Sequence, residues 1–132
     1  MSASTLKSIS IAQIIGKDQI DQVVDDFYNR ARNHPSLAQP FSVVHNWEDH
    51  KAKIAQFWWV VLGGIPKASY KYDPVGKHFA AGFNASLLSD WKLLFKTVLQ
   101  DHLNPELSDK WYSRVEMIGD NLLTQDQRLH HE

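Results

Sequence analysis

The chain contains no cysteine, which excludes disulfides, thiolate metal sites, cysteine nucleophiles and thioether-linked cofactors. Any metal must therefore be held by histidine or by oxygen ligands. Long apolar runs are missing too. No segment reaches the roughly 18 apolar residues of a membrane span, and the opening MSASTLKSISIAQIIG has neither a continuous apolar stretch nor a small-residue cleavage site. The expectation is a cytoplasmic protein without membrane contact. Charge of one sign is scarce as well: the net charge is −1 with Lys and Arg scattered, so there is no basic stripe to follow a phosphate backbone and no nucleic-acid partner is expected. Dinucleotide, P-loop and H-E-x-x-H fingerprints are absent.

Aromatics, by contrast, are abundant. Five Trp, six Phe and four Tyr in 132 residues are a heavy load for one small core, and large flat side chains suit a large flat guest as well as each other. Apolar residues make up 43% and charged residues 22%, close to globular averages, so disorder and fibrous repeats are not indicated. The length fits one domain spanning residues 1–132, with 1–16 poorly defined apart from a short helix that Gly16 would end.

Periodicity predicts an all-α domain of about five helices, and nothing reads as a strand hairpin. From Asp18, the residues Ile20, Val23, Val24, Phe27, Tyr28 and Ala31 recur at three and four residue intervals on one face, until His34 and Pro35 stop the helix. Asn46, with Asp49 three residues on, caps a helix from Trp47 to roughly Leu62 whose stripe is Trp47, His50, Ile54, Phe57, Trp58 and Val61. Gly63 and Gly64 end it, and a loop runs to Gly76. Lys77 to Ala81 leaves room for a turn or two of helix. Ser86 is expected to cap the next helix, carrying Leu87, Leu88, Trp91, Leu94, Phe95, Val98 and Leu99 inward. The last helix opens on Asn104, Pro105 and Glu106, with Leu107, Trp111, Val115, Ile118 and Leu122 as its buried stripe.

Two histidines stand out as chemistry-bearing. His50 sits among large apolar residues, where it reads either as a satisfied core residue or as a ligand. His78, in a short turn after the long loop, reads either as solvent-facing or as a ligand. The residue pattern alone leaves both open. His34, His45, His102, His130 and His131 fall at caps, ends or the tail and are expected to be structural or solvent-facing.

Read together, H-K-A-K-I-x-x-F-W from His50 to Trp58, the Gly pair and long loop after it, G-K-H-F around His78 and the helix bearing Trp91 resemble the truncated haemoglobins of the third group. The likeness runs from Asp18 to Leu122. It implies a truncated globin-like fold, a two-over-two helical sandwich around haem b. It also implies His78 as the proximal iron ligand, a neutral imidazole whose other nitrogen donates to a neighbouring acceptor. Tyr28, His50, Ile54 and Trp91 would line the gas-binding side, Phe41, Phe57 and Trp58 would pack the haem, and Lys53 and Lys77 would meet its propionates. The interval from His78 to Trp91 is about one residue shorter than the family pattern suggests, which bears on the orientation of Trp91 more than on the identity of His78.

The function so implied is reversible binding of O2 and other small ligands (CO, NO, cyanide), in oxygen storage, transport or sensing. The other class is a haem enzyme, a nitric oxide dioxygenase or a peroxidase-like protein, which would depend on a separate reductase. A monomer or weak homodimer is expected.

Overall fold

The computed structural model describes residues 9–44, 46–66 and 84–130, the side chains at 43 and 122–130 excepted. Among the described residues every regular element is helical. The chain begins with α1 (Ile11–Ile15), where the Ser10 hydroxyl accepts from the Gln13 N–H and the Gln13 side chain accepts from the Ser10 N–H. This reciprocal cap satisfies donors that so short a helix could not otherwise pair. Gly16, at φ +90°, turns the chain directly into α2 (Lys17–Ala31). That backbone region is open to glycine at little cost.

Every residue of the stripe expected for α2 is buried: Ile20, Val23, Val24, Phe27, Tyr28 and Ala31. A 3-10 turn (Pro40–Val43) leads to α3 (Trp47–Val61), where the Asn46 side chain accepts from the Asp49 N–H at 3.0 Å. Ile54, Ala55 and Trp58 are buried on α3, whereas Trp47, His50, Phe57 and Val61 are only half-buried.

One helix start differs from expectation. α4 (Ala85–His102) is capped by Asn84, whose side chain accepts from the Leu87 N–H at 3.0 Å, so Ser86 lies inside the first turn. Both residue types cap well, and periodicity cannot choose between candidates two residues apart. α5 (Pro105–His130) starts as expected, with the Asn104 side chain accepting from the Leu107 N–H at 2.9 Å. The segment expected to carry a turn of helix near Lys77 to Ala81 lies outside the described residues.

The helices stack as two antiparallel pairs. Arg32 lies over Trp47 while Asp25 meets Lys51, which sets α2 against α3 in opposite directions. Lys92 meets Asp120 and Lys96 lies over Tyr112, which does the same for α4 and α5. α2 also packs on α4, joining the pairs, and α1 rests on α2 and α5. Phe27, Phe95, Trp111, Leu37, Leu62 and Leu99 are fully buried at the junction. Each such side chain contributes about 1.5–3 kcal/mol by leaving water.

At the far end of α3 the Ala12 N–H donates to the Leu62 carbonyl at 3.0 Å. Gly63 adopts φ +97°, and a methyl added there would stand 3.0 Å from Ser10 Cβ. The Trp59 indole lies against Gly64 and donates to the Ile65 carbonyl at 3.0 Å. A methyl at Gly64 would fall 2.3 Å from that indole. The double glycine is thus required twice, by backbone conformation and by contact.

Candidate functional site

Tyr28 projects from the last turn of α2 into a nest of rings and is 4% exposed. Phe27, Phe41, Trp47 and His50 lie 4.9, 5.5, 5.6 and 5.4 Å from it, centroid to centroid. The contacts with Phe27, Phe41 and His50 are edge-to-face, the arrangement that the ring quadrupole favours. Phe41 reaches this nest because the turn after Pro40 bends the chain back over α2. His50 reaches it one helical turn into α3. Although the residue is half-buried, its Nε2 is shielded from water, so the imidazole points inward. Ile54, one turn further along α3, is 4% exposed.

Trp91 enters from α4 and is 2% exposed, its indole nitrogen buried. Among the described residues its ring neighbours include Phe95 at 5.6 Å and Phe27 at 6.5 Å. Phe27 therefore bridges the two parts of the interior, touching Tyr28 on one side and Trp91 and Phe95 on the other. Trp58 belongs to the deeper part, 5.1 Å from Phe95, 5.8 Å from Trp111 and 5.1 Å from the half-buried Phe57. α5 supports this layer closely, since a methyl at Gly119 would stand 2.7 Å from Lys92 Cε and 3.4 Å from the Trp91 ring.

Tyr28, Phe41 and His50 are thus in mutual or shared ring contact, and Trp91, Phe57 and Trp58 join them through a second aromatic group. Lys53 stands apart: its ammonium pairs with Asp49 at 3.0 Å, with both side chains more than half exposed. His78 and Lys77 lie outside the described residues. Two interior contacts carry more than their stripe positions suggested. Trp47, read as an ordinary stripe residue, covers Tyr28 and His50 from outside, and Arg32 lies over it at 4.8 Å. The only forewarning in the sequence is its place one turn before His50.

His102, expected to be structural or solvent-facing, is structural. Its Nε2 and an Asp26 carboxylate oxygen are 2.8 Å apart, and Arg30 meets the same carboxylate with two bonds of 2.9 Å while also reaching Asp101 at 2.9 Å. This cluster fastens α2 to α4, the two helices that carry Tyr28 and Trp91. Burial pushes the Asp26 carboxyl upward, but hydrogen bonds from Arg30 and His102 outweigh that effect and hold it below the ordinary value of 3.8.

Two stacked antiparallel helix pairs, with a phenol, an imidazole and an indole turned into an aromatic interior, define a globin of the shortened type. The chain belongs to the bacterial-like globin family, which it matches over residues 11–123, and within it the likeness is to the third group of truncated haemoglobins. It is 27% identical over 113 residues to the Group 3 truncated hemoglobin ctb of Campylobacter jejuni, covering 81% of this chain and 87% of that protein. Membership makes this a globin-type haem protein. The residues present suit such a group: a flat apolar guest requires aromatic walls, and His50 Nε2 and Trp91 Nε1 lie shielded from water among them. No described helix is long and apolar enough to cross a membrane.

Proposed function

We propose that the protein holds haem b through His78 and reversibly binds O2, and also CO, NO and cyanide, in a cavity walled by Tyr28, His50, Ile54 and Trp91. The observation that carries this reading is the inward turn of His50 against Tyr28, with Nε2 out of water and the two rings 5.4 Å apart. When bound, the haem supplies a ferrous iron that polarises a diatomic ligand. The chain supplies everything else. The Tyr28 hydroxyl, the His50 imidazole and the Trp91 indole can each donate toward the negative end of that ligand, and a donor works best where water is excluded. One such bond is worth about 1.5–3 kcal/mol, enough to slow dissociation roughly ten- to a hundredfold. Ile54 adds bulk without polarity. Phe41, Phe57 and Trp58 bury apolar surface against the porphyrin and keep water from the ferrous centre.

Lys77 and Lys53 are assigned to the propionates. For Lys53 that contact competes with Asp49 and contributes under about 1 kcal/mol at so exposed a position.

The test is an absorption spectrum of the purified ferrous protein with and without CO. A CO-sensitive Soret band is expected, and His78→Ala should lose the haem or its normal spectrum. A colourless protein, or an His78→Ala variant with unchanged haem content and iron spectrum, would reject the assignment.

A further inference from the structure

Among the described residues, the half-buried ring of Trp47 lies between the Tyr28–His50 pair and solvent. Trp47 opens α3. Its ring lies 5.6 Å from both Tyr28 and His50 and 6.3 Å from Phe41. Tyr28 and Phe41 are buried; Trp47 itself is half-buried, so one face looks inward and part of the ring meets water. Over it lies the exposed Arg32, whose guanidinium carbon is 4.8 Å from the ring centroid. The frame around this side chain is fixed separately. Lys51 bonds Asp25 at 2.7 Å and Asn29 at 3.1 Å, tying α3 to α2 one turn away. These bonds hold α2 and α3 together without involving the indole.

We propose that Trp47 is the gate through which a small ligand enters and leaves the cavity, and that Arg32 is the latch holding it shut. The inference rests on the haem reading above, because the gate has meaning only if the cavity takes a ligand. A gate differs from a donor in what it does to rates. Tyr28 stabilises the bound state, so losing it speeds release and leaves entry nearly untouched. Trp47 stands across the path, so loosening it speeds entry and release by the same factor and leaves affinity unchanged. An exposed cation–π contact of this kind shifts an open and shut equilibrium by about two- to fivefold.

A second opening on the same helix seam is the competing path. A groove of about 580 Å³ lies between α2 and α3, with Lys17, Asp21, Asp25 and Lys51 at its rim and Ala52 and Ala55 among its lining residues.

The experiment is CO rebinding after flash photolysis, with CO release measured by displacement, on the ferrous protein and on Arg32→Gln, Trp47→Phe and Ala52→Trp. Arg32→Gln removes a surface cation and leaves the core intact. It is expected to raise both rate constants about two- to fivefold at constant affinity, and Trp47→Phe to raise both by at least as much. Ala52→Trp should change neither. A readout independent of ligand binding is fluorine NMR of the fluorotryptophan-labelled chain without gas. There Trp47 should exchange between two states, and Arg32→Gln should enlarge the minor one. Release that rises alone, entry slowed by Ala52→Trp but indifferent to Trp47, or a single Trp47 signal indifferent to Arg32 would overturn the gate. A parent protein without a CO-sensitive Soret band would overturn the haem reading and the gate with it, whereas the other outcomes overturn the gate alone.

Discussion

At the scale of single residues, the ring contacts of Tyr28 dictate how it can be tested. Among the described residues, Phe27, Phe41, Trp47 and His50 pack round the phenyl, so Tyr28→Phe is expected to preserve that packing and remove only the hydroxyl. In the haem-loaded protein this variant is expected to release O2 roughly ten- to a hundredfold faster, with unchanged haem content, by stopped-flow displacement. An unchanged release rate would assign the principal donor role to His50 or Trp91. Much of this neighbourhood is readable from sequence, because a residue's place on a helical stripe sets whether it faces inward. Tyr28, Ile54, Trp58 and Trp91 all fall on stripes and are all at most 4% exposed. Stripe position does not say what lies on the far side of a ring, so it marks Trp47 only as one more core residue. The inward turn of His50 is likewise a matter of rotamer, and no spacing rule encodes it.

At the scale of helices, the fastening of α2 to α4 links residues 26 and 30 to residues 101 and 102. Local periodicity carries no information about partners that far apart, so this cluster was invisible until the chain was folded, whereas the Asn46 and Asn104 caps, each acting three residues away, were plain. Asp26 has a depressed folded-state pKa. Its contribution to stability is therefore fully present well above pH 3.8 and is lost as pH falls below that value toward the folded one. Asp26→Asn is expected to cost about 1 kcal/mol at neutral pH, the modest size that solvent screening allows such a cluster, and so a few degrees in Tm. Calorimetric melts at neutral pH and near pH 3 should show the gap between variant and parent closing in acid. A gap of equal size at both would mean that packing, not ionisation, sets it. The end of α3 offers a second check. Gly64→Ala must displace the Trp59 indole and its bond to Ile65, and a loss of about 1–3 kcal/mol is expected by thermal melts.

For the molecule as a whole, the proposed haem chemistry is expected to draw its electrons from a separate reductase. Rapid mixing of the oxygenated protein with nitric oxide is expected to give one stoichiometric turnover, and further turnovers only when a reductant is supplied; sustained cycling without one would point to an electron source within the protein. A last consequence concerns how the cavity could be retuned. Trp91 is backed by α5 at Gly119, the point where hydrogen alone separates that helix from the indole and from the Lys92 stem. A methyl there would press on the Lys92 stem at 2.7 Å and on Leu88 at 3.3 Å, and a branched side chain is expected to press on the indole as well. With Trp91 walling the ligand space as proposed, enlarging residue 119 is expected to narrow that space from the outer layer and to exclude bulkier ligands without touching any group that meets them.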